Sequence, residues 1–535
     1  MKSVMSHQFS QVPGVNIPRS RFDRSHGHKT AFDAANLVPI FIDEALPGDS
    51  FNLKMTGFAR MSTPIFPIMD NLYMSTFFFA VPMRLVWDNF QKFMGEQENP
   101  GDSTDYLIPQ MDVSKSPLST TGYAQGSLED YMGLPTSVVG CEHSCLWHRA
   151  YNLIWNEWFR DQNLQDSVTV NKGDGPDDPA DYTILKRNKR HDYFTSALPW
   201  PQKSDDPVSI PLGDRAPVLG IGTDNNTYTS GTKGIRESDG NANTYFNYQQ
   251  IGSNNDWWVE QNTTTAGYPG IYADMTEVTG ATINALRQAF QIQKLLERDA
   301  RGGTRYTEIV KSHFSVTSPD ARLQRPEYLG GGRSIVNINP VLNTATTQYS
   351  HPTQNGVVGD VGAYSTTAIR GHGFTKSFTE HTLLIGLVSV NADLNYQQGL
   401  NRMWSRQTRY DYYWPALSHI GEQAVLNKEI YYQGGTSVDD DVFGYQERYA
   451  EYRYKPSLIT GLMRSTAASS LDAWHLAQEF TSLPTLGDTF ITENPPMNRV
   501  SAVIIEPDFI FDSYFSMKCA RPMPLYGVPG LIDHF

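Results

Sequence analysis

The hydrophobic pattern of residues 36–88 predicts two adjacent strands of an all-β protein. Over residues 51–56 (FNLKMT) apolar and polar side chains alternate, which is typical of a strand with one buried face. Over residues 73–81 (YMSTFFFAV) the alternation gives way to a nearly continuous apolar run. We therefore predict that both faces of this second strand are covered, either inside a sandwich or against another subunit.

Further strands and a few helices follow from the same criteria. Strands are predicted at residues 327–342, 381–394 and 499–518. The clearest helix is predicted at residues 146–161, where apolar residues recur at three- and four-residue steps, and others at 86–94 and 280–300. Residues 356–373, which are rich in glycine, are predicted to form a loop. Many strands with long connections indicate a mainly β, antiparallel sandwich.

Residues 202–275 differ in composition from the rest of the chain. Gly, Asn, Thr, Ser and Asp dominate this segment, and few of its residues could fill a core. Long segments of this kind lie at the surface and often carry function. We predict a surface insertion, whose best contact residues are its aromatic side chains Tyr228, Tyr245, Phe246, Tyr248, Trp257 and Trp258.

The start of the chain is basic although the whole chain is acidic. Residues 1–35 hold five Lys or Arg and two Asp, against a net charge of −14 for all 535 residues. The acidic total disfavours a free-standing nucleic-acid binder, because affinity for nucleic acid depends on Lys and Arg. A local basic arm can still touch DNA phosphates, and a solvated terminus is the alternative. The candidate DNA-contacting residues are Arg19, Arg21, Arg24 and Lys29.

Residues 401–454 combine aromatic and basic side chains. Such a combination either holds single-stranded DNA by stacking and phosphate contact or forms a protein interface, where Tyr, Trp and Arg are enriched. The candidate residues are Trp404, Arg406, Arg409, Tyr412, Tyr413 and Trp414.

No motif in the sequence predicts catalysis, a metal or a cofactor. The chain lacks the G-x-S-x-G and H-E-x-x-H patterns. The acidic groups at 174–178 and 439–441 lack the order of a calcium loop and are predicted to be solvated turns. Three cysteines are too few for a disulfide scaffold, and we expect them to be reduced. No apolar run reaches 18 residues, so we expect no membrane insertion.

A family resemblance is carried by several segments in order. These are NLVPIF, LPGD, MSTPIFPIMDN, FFFAVPMRLVWDNF and FMGE, then the Trp-rich helix near Trp155 and the C-terminal PMPLYGVPGLIDHF. Together they resemble the major capsid protein of the microviruses, small single-stranded DNA phages, and most closely the gokushovirus branch. The resemblance spans nearly the whole chain and is poorest over residues 202–275.

The resemblance implies a single eight-stranded antiparallel jelly roll of the viral capsid type, with long loop insertions and a few helices. We accordingly expect residues 1–35 to form an arm on the inner capsid surface and residues 36–201 the first part of the jelly roll. Residues 202–275 would build a protrusion at the three-fold axis, and residues 276–535 the remainder with an extended C-terminal arm. For a chain that contacts copies of itself, the interface interpretation of residues 401–454 is favoured.

The resemblance also implies partners. Sixty copies would form a T=1 shell around a circular single-stranded DNA genome, assembled in the cytoplasm of a bacterial host. An internal scaffolding protein, a small basic DNA-binding protein, a pilot protein and a host cell-surface receptor are the other implied partners. The alternative is a carbohydrate-binding or carbohydrate-active β-sandwich, supported only by 10 Trp and many Tyr and Asn residues.

Overall fold

A computed structural model describes residues 18–203, 283–303, 306–316, 324–344 and 358–526, with short strands at 218–219, 221–223, 235–237, 272–273, 347–348 and 355–356. The chain divides into two compact units. One unit comprises Met1–Pro201 and Thr304–Phe535, and the other comprises Gln202–Gly303.

Twelve strands longer than three residues are described. They are β1 Ser20–Asp23, β2 His26–Phe32, β3 Val38–Ala45, β4 Ser50–Met61, β5 Leu72–Pro82, β6 Glu327–Ile335, β7 Asn337–Leu342, β8 Val361–Ser377, β9 Thr382–Ala392, β10 Glu422–Leu426, β11 Val442–Glu447 and β12 Phe509–Arg521. Two-residue strands at Asn395–Tyr396 and Ser457–Leu458 pair with each other in parallel.

The described helices are mostly short. They are α1 Phe90–Phe93, α2 Leu128–Tyr131, α3 Leu146–Ile154, α4 Ile283–Gly302, α5 Tyr306–Phe314, α6 Asn427–Ile430, α7 Asp488–Ile491 and α8 Met497–Val500, and a π-helical turn, Trp155–Phe159, extends α3. The 3-10 turns are Met83–Leu85, Pro179–Asp181, Arg402–Trp404, Arg409–Asp411, Pro415–Leu417, Ser437–Asp440, Ala450–Tyr452, Gly461–Met463 and Asp472–Trp474. Helix α4, predicted over 280–300, belongs to the second unit.

Two antiparallel sheets form the centre of the first unit. In one sheet β1 and β2 pair with β12, and the order continues through β4 and β8 to β7. In the other the order is β3, β9, β5, β6. If β1 and β2 count as one interrupted strand and β7 as an addition, eight strands remain, and we number them 1 to 8 along the chain. In this numbering the first sheet has the order 1, 8, 3, 6 and the second sheet has the order 2, 7, 4, 5. This is the order of a jelly roll, and the predicted fold class is confirmed.

The sheets enclose one hydrophobic core, as the strand patterns predicted. Strand β4 alternates buried and exposed residues along its length, and Phe51, Leu53 and Met55 point into the core. All eleven residues of β9 are buried, because its inner face meets the first sheet and its outer face is covered by a second cluster. Strand β5 is covered on both faces in the same way. Its Phe78 faces the core between the sheets, and Phe79 faces the outer cluster.

Helix α3 covers the outer face of the second sheet. Its apolar side chains pack with Phe79 and with residues of β9, and Tyr151 donates a hydrogen bond to the Leu37 carbonyl at 2.8 Å. The indole of Trp155 donates to the Lys186 carbonyl at 2.9 Å. The amphipathic helix predicted at 146–161 is therefore a packing element.

Strand β8 corrects the prediction of a loop at residues 356–373. Its inward positions include Ser365, Thr367 and His372, all buried. Because these side chains are polar, the alternation that marks a strand is hidden in the sequence. The Ser365 hydroxyl accepts a hydrogen bond from the Met61 amide at 2.6 Å, so its burial is compensated.

Candidate assembly surfaces

Residues 401–454 pack on a third, smaller hydrophobic cluster, separate from the two clusters of the sheets. The hairpin of β10 and β11 contributes Val425 and Phe443, which pack with Tyr193, Phe194 and other residues from distant parts of the chain. This cluster fixes the backbone from which the 3-10 turns at residues 402–417 project.

A buried polar network lies beneath the same turns. Glu429 accepts hydrogen bonds from the Tyr193 hydroxyl at 2.8 Å and from Arg402 at 3.2 Å. Burial raises the pKa of Glu429, and the positive charge of Arg402 opposes this rise. Arg402 also donates to the Ala424 carbonyl at 2.7 Å, which ties the first turn to β10.

Six aromatic side chains are exposed on these turns, on the residues that join them and on the turn at 450–452. Their exposed fractions range from 48% to 71%, the largest being that of Trp404. We call this set the aromatic surface, and it comprises Trp404, Tyr410, Tyr412, Tyr413, Trp414 and Tyr452. Exposed aromatic side chains close together in the sequence make these residues a candidate interaction surface.

The arginines of the aromatic surface are engaged by its rings. Arg406 lies 4.4 Å from the Tyr452 ring centre and 5.2 Å from that of Tyr412, and its guanidinium is 3.6 Å from the Glu451 carboxylate. Arg409 lies 4.7 Å from the ring centre of Tyr410. Trp414 donates its indole proton to the Arg409 carbonyl at 2.7 Å. Contacts therefore link Arg406 to Tyr412 and Arg409 to Trp414, and Tyr413 packs against the Tyr452 ring. Trp404 is exposed on the turn Arg402–Trp404.

Two residues that were not predicted from the sequence, Arg448 and Glu451, hold this surface together. Arg448 lies 4.7 Å from the Tyr449 ring centre and donates to the Tyr410 carbonyl at 3.3 Å. Glu451 pairs with Arg406 and accepts a hydrogen bond from Gln423 at 2.6 Å. The only sequence signal was the density of charged and aromatic residues.

The four basic candidates near the N-terminus lie on or next to β1 and β2. Arg24 pairs with Asp43 at 2.6 Å and Lys29 with Asp512 at 3.0 Å. Arg19 donates to the Gly48 carbonyl at 2.7 Å, and Arg21 is exposed opposite Ala520 of β12. Within the described residues, Arg24 and Lys29 therefore have their charge compensated by a carboxylate.

Three further predictions concern the insertion, the two acidic groups and metal binding. The six aromatic candidates of the insertion, from Tyr228 to Trp258, lie outside the described residues. Asp177 and Asp439 are not in solvated turns, because both are buried. Asp177 pairs with Arg149, and Asp439 accepts backbone hydrogen bonds from residues 433, 435 and 436. Within the described part of the chain no group of His, Cys, Asp and Glu has the geometry of a metal site.

Jelly rolls occur in viral shell proteins and in carbohydrate-binding proteins, among other classes, and an exposed aromatic surface is compatible with both. The family described as "Capsid protein (F protein)" matches residues 10–531. The chain is 47% identical to capsid protein VP1 of Bdellovibrio phage phiMH2K, over 99% of this chain and 98% of the relative.

Two further relatives agree. The chain is 44% identical to capsid protein VP1 of Chlamydia phage 1, over 99% of this chain and 98% of the relative. It is 36% identical to capsid protein VP1 of Spiroplasma virus 4, over 98% and 97%. The chain belongs to the capsid protein (F protein) family. It is a structural protein of the virion, a major capsid protein of the microvirus type, and not an enzyme. None of the helices in the described residues is long and apolar enough to cross a membrane.

Proposed function

We propose that sixty copies of this chain assemble into a T=1 icosahedral shell and that the aromatic surface forms contacts between neighbouring copies. The observation that carries the proposal is the set of six exposed rings on rigidly supported turns. Large rigid aromatic side chains supply most of the contact energy in protein interfaces, because they bury much area at a small cost in side-chain entropy.

The environment of the arginines supports a protein contact over a DNA contact. Arg406 is mostly buried against Glu451 and two tyrosine rings, so its charge is not presented to a phosphate. Sequence-independent affinity for single-stranded DNA requires cations along the strand as well as rings. A surface of rings in which the charge of Arg406 is already paired with Glu451 fits a neighbouring protein subunit better.

Replacing Trp404 tests this contact. Trp404→Ala is expected to reduce particle yield at least about tenfold, because loss of an aromatic contact that contributes strongly to binding costs about 2 kcal/mol at each interface where it occurs. The subunit melting temperature should stay near that of the wild type, since the ring is exposed. Particle yield is measured by sedimentation and stability by thermal unfolding of unassembled subunits.

Trp87→Ala is the contrasting variant. Trp87 is fully buried and donates its indole proton to Asp174 at 2.7 Å, so its loss should lower subunit stability first. Normal particle yield from Trp404→Ala would contradict the proposed role of the aromatic surface.

We also propose that the shell encloses a circular single-stranded DNA genome and that the basic start of the chain contacts it. Arg19 and Arg21 are the better candidates, because Arg24 and Lys29 are paired with Asp43 and Asp512. Intact particles that protect no single-stranded DNA from nuclease would contradict this proposal.

Host attachment is proposed for residues 202–275, supported by their composition and by their aromatic residues. Virions with the six aromatic residues of this segment replaced by Ser should bind host cells less than wild-type virions; equal binding would contradict the proposal. A scaffolding protein, a basic DNA-binding protein and a pilot protein are proposed partners on the family resemblance alone, and co-purification with immature particles would test each of them.

A further inference from the structure

A pocket of about 340 Å³ opens on the outer face of the second sheet. Its walls come from β5, β6, β9 and the segment at residues 187–190, all within the first unit. Its volume lies at the lower end of the range for small-molecule sites. Three arginines, Arg187, Arg190 and Arg333, line it, and we call it the arginine pocket.

The nearby carboxylates neutralise only part of the positive charge of these three arginines. Asp393 lies 3.1 Å from the guanidinium of Arg190 and 3.9 Å from that of Arg333, so one carboxylate serves two cations. The carboxyl group whose charge acts on Arg187 is that of Glu493. Burial raises the pKa of Glu493 to about 7, so this carboxyl is partly protonated at neutral pH. The pocket therefore carries excess positive charge in a chain whose net charge is −14.

Two buried donors at the pocket have no acceptor in the described residues. They are Nε of Arg187 and the amide nitrogen of Asn391. The Asn391 amide oxygen accepts a hydrogen bond from Arg187 at 3.1 Å, so the two side chains are in direct contact at the pocket. A buried donor without an acceptor is costly, and such groups commonly mark a place where another molecule supplies the acceptor.

Aromatic rings hold two of the guanidinium groups in place. Arg333 lies 3.2 Å from the ring centre of Tyr73, and Arg187 lies 5.6 Å from that of Phe77. Cations stacked on rings keep their planes fixed and their N–H groups free to point sideways, which suits recognition of an oxyanion.

We propose that the arginine pocket binds a phosphate group. Phosphate offers several acceptor oxygens and a charge that matches the surplus of guanidinium groups, and planar guanidinium forks bind it through paired hydrogen bonds. The group comes either from free phosphate or a nucleotide, or from a nucleic-acid backbone. All lining residues belong to one chain, so phosphate binding to this pocket does not require shell assembly.

Calorimetric titration of the full-length unassembled chain at low salt tests the proposal. The probes are inorganic phosphate, deoxyadenosine monophosphate and an oligothymidylate. Arg333→Gln and Arg190→Gln are expected to weaken binding about tenfold, because each removes a charge-assisted hydrogen bond. Arg60→Gln is the matched control, since Arg60 is exposed on β4 and does not line the pocket.

Asp393→Asn provides a variant with the opposite expectation. It removes the carboxylate that competes with a phosphate for Arg190 and Arg333, and it should tighten binding about fivefold. A general loss of folding would not produce tighter binding, so this variant tests the site even if the arginine variants are unstable.

The outcomes separate the sources of the phosphate. Binding of inorganic phosphate or the mononucleotide, with the expected effects of the variants, supports a small-molecule site. Binding of the oligonucleotide alone, with the same effects, supports a site for the nucleic-acid backbone. No saturable binding of any probe, or equal binding by the wild type and by Arg333→Gln, would overturn the proposal.

Discussion

Arg149 and Asp177 form an ion pair that is almost completely removed from solvent. Two nitrogens of Arg149 each lie 2.7 Å from an oxygen of Asp177, and the third donates to the carbonyls of Val86 and Gly173. The sequence could not reveal this pair, because the two residues lie 28 positions apart and Asp177 stands in a run that is typical of a solvated turn. A buried charge shows its partner only in the folded chain.

Arg149→Gln is expected to lower the free energy of unfolding by about 3–5 kcal/mol, since it leaves the Asp177 carboxylate buried without its cation. Denaturant unfolding of unassembled subunits measures the change. Lys29→Gln breaks the exposed pair with Asp512 and should leave the unfolding midpoint near that of the wild type. Similar losses from both variants would show that the buried pair stabilises the subunit no more than the exposed pair does.

The raised pKa of Glu493 predicts that the free energy of unfolding depends on pH. Burial raises its pKa from 4.5 to about 7, against the opposing effect of Lys189 and Arg187. Between these pH values the folded chain holds the proton more strongly than the unfolded chain, so the free energy of unfolding falls as the pH rises. This component amounts to about 3 kcal/mol.

Glu493→Gln removes that component. The stability of the variant relative to the wild type should therefore increase from pH 4.5 to pH 7, as measured by denaturant unfolding at several pH values. Glu479→Gln, at an exposed position, should follow the wild-type curve. A constant difference between Glu493→Gln and the wild type across this range would show that the carboxyl does not titrate there.

At the scale of elements, three glycines allow β6 to lie close to its neighbours. A Cβ atom at Gly331 would stand 2.0 Å from the Thr76 carbonyl oxygen of β5, and one at Gly332 would stand 2.3 Å from the His372 ring of β8. The sequence predicted a strand with a glycine bend here, which agrees with β6, but it gave no sign of the close approach to two strands.

Gly331→Ala is expected to destabilise the subunit by about 2 kcal/mol or more, because the Thr76 backbone must move to admit the methyl group. Gly362→Ala on β8 is the matched control, since a Cβ atom there has no neighbour within 4 Å. Denaturant unfolding measures both variants. Equal stability of the two would show that β6 tolerates a wider separation from β5.

Strands with apolar inner faces were predictable, and those with polar inner faces were not. The alternation of residues 51–56 and the apolar runs at 73–81 and 381–394 correspond to β4, β5 and β9. Strand β8 was missed because Ser365, Thr367 and His372 occupy inward positions. The partners that compensate such side chains come from other strands, as when Thr76 and His372 hydrogen-bond at 2.7 Å between the sheets.

At the scale of the whole molecule, the order of the strands followed from the family resemblance and not from periodicity. Patterns within single strands contain no information on which strand lies beside which, and β12 pairs with strands about 450 or more residues away. The density of Tyr, Trp and Arg in residues 401–454 could be read from the sequence. The exposure of the aromatic surface and the pairing of Arg406 with Glu451 required the folded hairpin of β10 and β11.

Imaging of the purified protein tests whether many copies of this chain close into one shell. Negative-stain electron microscopy at several ionic strengths, with co-expression of a candidate scaffolding protein, should show uniform spheres with icosahedral symmetry and the mass of sixty chains. Contacts between charged subunits depend on salt, so the yield of spheres should vary with ionic strength. Only small globules under every condition, with the scaffolding protein present, would contradict the account.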